Sequence, residues 1–259
     1  MKRILILIVA IVAAAGVSAR DNYSFRVLGA NRFDPSWQEH GFLWTESGSY
    51  SGRMGVFEFG FSGLRVPQMG YAGFPAEERG FMDVDMARSF HFTFNIATLS
   101  VAFNRAQTLG MTLGAGLTVN DYAFQNKARI GKSGNHPTGM PVGYGYDVWH
   151  PIDTGETLKK SKLNTVAIHI PLALEVSPSR DFFFSVGCFA DLIVASHFKS
   201  KFPKEKLKDA ETNFGQFGVT GRVGFRGAYL FANYGFADLI NYRHGPELRP
   251  WSFGVGFGF

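Results

Sequence analysis

The feature that most restricts the fold is a long-range alternation of bulky residues with small or polar ones. In GVFEFGFSG, Phe57, Phe59 and Phe61 occupy every second position, with glutamate, glycine and serine between them. Side chains of a β-strand point alternately to opposite faces, so a period of two predicts strands. The 31 glycines and 27 phenylalanines of the 259-residue chain fit strands with one bulky face and one nearly empty face. We therefore predict an all-β fold.

The alternation recurs and predicts eight strands. They cover residues 53–64, 89–104, 108–125, 163–177, 181–197, 213–226, 228–240 and 250–259. Several are longer than the usual strand of a soluble protein, about 5 to 6 residues. They match or exceed the roughly 9 to 11 tilted residues that cross a bilayer.

The connections between these strands alternate between short and long. Long, polar ones cover residues 65–88, 126–162, 198–212 and 241–249, whereas the links between them are short. Outer-membrane barrels have this pattern, with an even number of antiparallel strands, long external loops and short periplasmic turns. We predict a transmembrane up-and-down antiparallel β-barrel of eight strands.

Charge placement decides which strand face points outward. A soluble barrel carries its charged residues on the outer strand face, whereas here the charges crowd into the long connections. The bulky face suits lipid, and the face of glycine, threonine, serine and asparagine suits a crowded interior. Backbone polar groups in lipid must be paired within the protein, so the sheet has to close on itself. Outer-membrane lipid is therefore an expected partner.

Three places do not follow the simple alternation. The stretches FFFSVGCFADLIVA and AYLFANYGFADLI are apolar on both faces, so the orientation of the strands 181–197 and 228–240 stays open. Pro171 lies inside a predicted strand and removes a ladder hydrogen bond. We expect a bulge or local kink there.

The N-terminal region has the layout of a secretory signal peptide. Residues 1–19 combine a basic start, an apolar run and small residues before a cleavage point at Ala19. The apolar run is shorter than the about 20 residues of a membrane-spanning helix. Residues 50–259 form the predicted barrel domain. Residues 20–49 are a periplasmic lead segment that either stays flexible or tucks against the barrel mouth.

Composition excludes some functions. Without Lys2 and Arg3, 24 basic residues face 21 acidic ones, a charge of +3 that is too weak and scattered for a nucleic-acid partner. The single cysteine, Cys188, cannot form an intramolecular disulfide. No motif predicts a catalytic residue, a cofactor or a metal site.

Polar residues on the inward strand faces are the candidate site. An eight-stranded barrel is only wide enough for side chains to fill its interior. The inward residues form a predicted lumen polar network: Glu58, His91, His169, Glu175, Asp191 and Arg222. They could form a proton or ion path. The alternative, which we favour, is a structural set of carboxylates paired with Arg222, because unpaired buried charges are costly.

A lipid-modifying enzyme is a further alternative. Such an enzyme needs a nucleophile and a base that open together onto lipid. Ser196 and His197 are adjacent in one strand and therefore point to opposite faces. We expect a protein that is not an enzyme. Aromatic residues that could join the girdles at the membrane interfaces are Trp37, Trp44, Tyr50, Tyr122 and Trp251.

The ordered segments resemble a known family. KSKLNTVAIHIPLALEV (160–176), LGMTLGAGLTVNDYAF (109–124), LIVASHFKSKF (192–202) and GPELRPWSFGVGFGF (245–259) are similar to PorT-like outer-membrane barrels of Bacteroidota. The resemblance implies an eight-stranded barrel in the outer membrane of a Gram-negative cell. It also implies insertion by the barrel-assembly machinery, with the terminal Phe259 as the assembly signal.

The functional expectation is a non-enzymatic integral outer-membrane protein. Its long loops and its periplasmic face would bind envelope or secretion proteins or stabilise the envelope. The resemblance adds an alternative, an accessory component of type IX protein secretion.

Overall fold

A computed structural model describes most of the predicted barrel. The described residues are 23–27, 52–67, 71, 76, 79–104, 106–126, 129–133, 148–152, 160–179, 181–201, 205–208, 210–241 and 244–257. They contain twelve strands and a short 3-10 turn over Met86–Arg88. No helix in these ranges has the length and apolar character needed to cross a membrane.

The strands follow one another with short or long connections. Their bounds are β1 Tyr23–Val27, β2 Phe57–Arg65, β3 Phe90–Ala102, β4 Leu109–Ala123, β5 Arg129–Ser133, β6 Val148–Ile152, β7 Lys160–Val176, β8 Phe182–Lys201, β9 Glu205–Lys208, β10 Gly215–Phe225, β11 Ala228–Gly235 and β12 Arg249–Phe257.

Eight of these strands close into an antiparallel barrel. The order is β2-β12-β11-β10-β8-β7-β4-β3, and β3 pairs again with β2. Each of these eight strands therefore pairs with two neighbours, which is the closed arrangement that the backbone of a sheet in lipid requires. The predicted eight-stranded barrel is confirmed.

The barrel has two different ends. At the short-turn end, three brief connections lie between β3 and β4, β7 and β8, and β10 and β11. The last of these is a two-residue turn in which Arg226 and Gly227 both have positive φ, 49° and 96°. This is the turn geometry that matches the twist of a hairpin. The other four connections lie at the long-loop end, and they are long.

The predicted orientation of the faces is also confirmed. Bulky residues point outward and stay exposed around the whole barrel, including Phe59, Val186 (62 % exposed), Phe217 (59 %) and Leu230 (60 %). The alternate residues point into the lumen and are buried, among them Ser62, Thr118 and Thr220. The exterior is therefore apolar, and most of the polar strand residues lie in the interior, unlike the arrangement in a soluble barrel.

The two strands of open orientation each place aromatic rings inside. The buried aromatic residues are Phe183, Phe189 and Phe198 in β8, and Tyr229 and Phe231 in β11. A side chain at Gly256 would collide with the ring of Tyr229. Gly256 of the last strand therefore makes space for the Tyr229 ring of β11 within a narrow interior.

The strand boundaries differ from the prediction at several ends, and two strands are clearly shorter than predicted. The first barrel strand begins at Phe57 rather than 53, and β11 ends at Gly235 rather than 240. The long connections also contain strands. The hairpin β5–β6 lies in the predicted loop 126–162, and β8 extends to Lys201 and pairs with β9 in the predicted loop 198–212.

Pro171 interrupts one ladder without a bulge. The register of β4 with β7 is unchanged across this position, but Ile170 and Pro171 have no partner in β4. Gly114 lies opposite, and the Pro171 ring occupies the space that a side chain there would need. The register shifts lie elsewhere. One is a β-bulge at Val194, where β8 gains one residue against β7, and the other is at Ile96, where β3 gains one residue against β4.

Part of the predicted lead segment belongs to the sheet. Tyr23–Val27 forms β1, which pairs with β3 from Ala97 to Val101. Within β3, only His91 to Phe94 pair with β2. β1 therefore continues the pairing of β3 toward the short-turn end of the barrel. The predicted signal peptide lies outside the described residues.

Candidate functional site: the filled lumen

The chain passes through the lumen just before the first barrel strand, β2. Residues 52–56, hereafter the lumen segment, precede β2 and are largely buried. Gly52 lies against the inward side chains of Ser100 and Thr112, which leave no room for a Cβ atom. The lumen segment therefore fills the short-turn end of the barrel, where the sequence predicted the first residues of a strand.

Hydrogen bonds from the wall hold the lumen segment. Arg26 of β1 is buried and donates through Nη2 to the carbonyl oxygens of Gly52 (2.5 Å) and Met54 (3.3 Å). Asn95 donates to the carbonyl oxygen of Gly55 at 2.8 Å. The Arg53 amide donates to Oε2 of Glu175 at 2.9 Å. Glu175 thus binds the backbone of the segment.

A buried ion pair lies next to the lumen segment. Nε of Arg222 donates to Oε1 of Glu58 at 2.9 Å, and the two side chains are 1 % and 0 % exposed. The Tyr229 hydroxyl donates to the same carboxylate oxygen at 2.8 Å and accepts from the Gly55 amide at 3.1 Å. Tyr229 therefore links the ion pair to the lumen segment.

The Tyr229→Phe variant should unfold more easily than the wild type. It leaves the Gly55 amide without this acceptor and Glu58 without one donor, which costs about 1–3 kcal/mol of unfolding free energy. Urea unfolding in lipid vesicles measures the difference. Tyr234→Phe is the matched control, because among the described residues its hydroxyl bonds only to the exposed side chain of Arg65. We expect the control to stay within about 0.5 kcal/mol of the wild type, and equal losses in both variants would contradict the linking role.

Two histidines lie nearer the long-loop end. Nδ1 of His169 donates to Oδ1 of Asp191 at 2.5 Å. Nδ1 of His91 donates to Oδ1 of Asn120 at 2.7 Å, and the Thr93 hydroxyl lies 3.0 Å from Nε2 of His91. Both rings are therefore held by defined partners.

These histidines line a small cavity of about 30 Å³. Three of its lining residues hold a buried polar atom without a hydrogen-bond partner among the described residues: Nε2 of His169, Oε1 of Gln216 and Oδ1 of Asn233. A polar cavity of this size can hold ordered water but no larger ligand. Within the described ranges, no group of three or more histidine, cysteine or acidic residues could hold a metal ion.

An apolar cap closes the long-loop end. Its members are buried residues of the connections and of the inward strand faces: Phe81, Met82, Tyr122, Phe124, Ile130, Leu163, Ala167, Ile193, Phe198, Ala210, Leu239, Ile240 and Leu248. Tyr71 packs against the cap and accepts a hydrogen bond from the Met82 amide. Burial raises the pKa of the Tyr71 phenol above its usual value, so the group stays protonated.

The structure divides the predicted lumen residues into three groups. Glu58 pairs with Arg222, His169 pairs with Asp191, and His91 and Glu175 bind other partners. The sequence prediction missed Arg26 and Tyr229. A signal for Tyr229 existed in the glycine-rich alternation of the strand that pairs with it.

Three smaller expectations have different outcomes. Tyr122 is buried in the apolar cap rather than exposed in an aromatic girdle. The Ser196 hydroxyl accepts from the Ala210 amide, and His197 lies beside it in the same strand. Phe259, the predicted assembly signal, lies outside the described residues, as do Trp37, Trp44 and Tyr50.

Comparisons with known proteins do not assign this chain to a family. No protein-family model and no curated protein matches the sequence. Among solved structures, the chain is similar to Ail, the attachment invasion locus protein of Yersinia pestis, with a TM-score of 0.33 and 11 % sequence identity. The alignment covers 80 % of this chain and 99 % of that chain. The strand order and register of this chain define its fold.

Proposed function

We propose that this protein is an integral outer-membrane β-barrel of a Gram-negative bacterium, with a non-enzymatic role in the cell envelope. The observation that carries the proposal is the outward apolar belt, formed by the bulky outward residues of all eight barrel strands. Soluble monomers rarely expose contiguous apolar patches above a few hundred Å². A belt around a closed barrel matches the lipid-facing band of membrane barrels.

The filled lumen favours a role without transport. The lumen segment, the Glu58–Arg222 pair and the apolar cap follow one another along the barrel axis. A pore needs a continuous aqueous path, which these groups would have to vacate. We propose instead that the protein acts through its surfaces, by binding envelope proteins at the long-loop end or by stabilising the envelope.

The single cysteine provides a direct test of membrane insertion. Cys188 is exposed and lies on the outward face between Leu172 and Val219 of the neighbouring strands. We expect a bimane label on Cys188 in phosphatidylcholine vesicles to be quenched by lipids brominated on their acyl chains. Iodide in the buffer should leave the label largely unquenched, because the belt lies in hydrocarbon.

A second label position separates insertion from loose adsorption. In the Cys188→Ser background, Asn126→Cys places the label in a connection at the long-loop end. This label should show the opposite pattern, with strong quenching by iodide and weak quenching by brominated lipid. If iodide quenches both labels equally, the outward belt is not in a bilayer and the proposal fails.

The envelope role needs a test in cells. We expect photocrosslinkers at the long-loop end to capture envelope proteins, and a deletion strain to be sensitive to detergents. A loss of extracellular proteins with unchanged lipid would favour the alternative of an accessory part of type IX secretion. Altered acylation of the outer-leaflet lipid would favour the alternative of a lipid-modifying enzyme.

A further inference from the structure

A cluster of lysines lies on the outer wall just beyond the apolar belt. Outward residues of β7 alternate from Val176 up to Val166, and the same face continues with Asn164, Lys162 and Lys160. β8 and β9 extend this face beside β7. We call it the lysine face, formed by Lys160, Lys162, Lys199, Lys206 and Lys208.

Strand register places like charges directly opposite one another. Lys162 pairs with Lys199, Lys199 pairs with Lys206, and His197 pairs with Lys208. Opposed like charges destabilise a sheet. Such an arrangement is tolerated more easily where a negative partner covers it, so the register points to an anionic ligand.

The protein neutralises only part of this charge. Nζ of Lys162 lies 2.7 Å from Oδ2 of Asp121, and this lysine is buried. Lys199, Lys206 and Lys208 are exposed, and no acidic side chain of the described residues forms an ion pair with them. Three adjacent ammonium groups therefore remain for a ligand.

The distance of the lysine face from the apolar belt indicates which anion can reach it, a lipid headgroup. Lys162 lies four residues beyond Val166, which is about 13 Å along a tilted strand. The polar headgroup region extends roughly 5–8 Å beyond the hydrocarbon on each side of a bilayer. Tilt shortens the vertical distance, and long lysine side chains can bend back toward the interface. The ammonium groups thus reach headgroup depth.

We propose that the lysine face binds the phosphate groups of phosphorylated lipid headgroups in the leaflet at the long-loop end. The inference rests on the proposed membrane location. A lipid whose acyl chains pack against Val166 and Ile168 brings its headgroup next to Lys162 and Lys199. Ammonium groups bind phosphate oxygens through charge-assisted hydrogen bonds, and the neighbouring lysines can share one phosphate.

Lipid selectivity in a defined mixture tests the proposal. The barrel is exchanged into neutral detergent with equal amounts of phosphatidic acid and phosphatidylcholine, and the lipid that stays bound is quantified. A lysine near an anionic surface contributes about five-fold in binding. We therefore expect Lys199→Gln/Lys206→Gln to lose about 25-fold of the preference for phosphatidic acid.

A matched variant removes the same charge from the opposite wall. Arg65 and Arg249 pair in register at the long-loop end of β2 and β12, which lie across the barrel from β8 and β7. Arg65 already contacts the Tyr234 hydroxyl, and Arg249 already contacts the Asp238 carboxylate. Arg65→Gln/Arg249→Gln should keep the preference for phosphatidic acid, and an equal loss in both double variants would overturn the lysine face as the site.

Three further outcomes are decisive. Displacement of bound phosphatidic acid by millimolar glycerol 3-phosphate would identify a soluble phosphate ligand and overturn the lipid assignment. A wild type without lipid preference, but with the Cys188 label buried in phosphatidylcholine vesicles, would overturn this inference and leave the proposed function standing. An exposed Cys188 label would instead count against the proposed function.

Discussion

Arg222→Leu should lower the unfolding free energy of the barrel by about 3–5 kcal/mol, the usual cost of breaking a buried ion pair by removing one partner. The variant keeps the apolar belt, so we expect it to insert. Glu58 would remain fully buried with only the Tyr229 hydroxyl as a donor among its described contacts. Urea titration in vesicles, followed by the gel mobility of folded and unfolded barrel, measures the loss.

The double variant Glu58→Gln/Arg222→Leu separates charge from packing. The amide of glutamine is neutral and can still accept from the Tyr229 hydroxyl, so the double variant should recover part of the stability. If it is as unstable as Arg222→Leu, the loss comes from the cavity left by the guanidinium. An unchanged midpoint in Arg222→Leu would falsify a stabilising role for the ion pair.

The fold was predictable because lipid and a narrow lumen impose opposite demands on alternate residues. One face must be apolar and bulky, and the other must be small or polar. Strands β2, β3 and β10 meet both demands, and the structure confirms their orientation. A shift of one residue would turn every outward ring into the lumen, so register is strongly specified.

The same reasoning fails where both faces are apolar. In β8 and β11, apolar residues occupy both sets of alternate positions. Periodicity alone therefore cannot predict which set points outward. The choice depends on the opposite wall, because Tyr229 fits inward only where Gly256 leaves room. The apolar cap is another example. The sequence suggested that Tyr122 is an interfacial aromatic residue, but the long connections cover it in the structure.

The candidate site was predictable in content but not in pairing. Alternation placed Glu58, His169 and Arg222 in the lumen, but strand tilt and register decide which groups meet. The lumen segment could not be foreseen, because Gly52 and Gly55 read as part of a strand in GRMGVFEF. Arg26 was missed for a related reason. Its neighbours lie in β3 and the lumen segment, both distant in sequence.

Leu172→Arg should destabilise the inserted barrel by about 2–4 kcal/mol, the cost of a charged residue near the middle of the lipid face. Leu172 lies midway along the outward residues of β7, which run from Val166 to Val176. Its neighbours in register are Leu113 and Cys188, both outward, and neither can pair with a guanidinium. Insertion yield into vesicles and urea unfolding report the effect.

Asn164→Arg is the matched control on the same strand and the same outer face. It lies beyond the belt and opposite Asp121 and His197, where a guanidinium can stay hydrated or pair with a carboxylate. We expect its unfolding free energy to stay within about 1 kcal/mol of the wild type, as at an interfacial position. A soluble barrel would tolerate arginine equally well at both positions, since each is outward. The difference between the two variants therefore measures the hydrocarbon itself, and equal stability would show that the apolar belt does not face lipid.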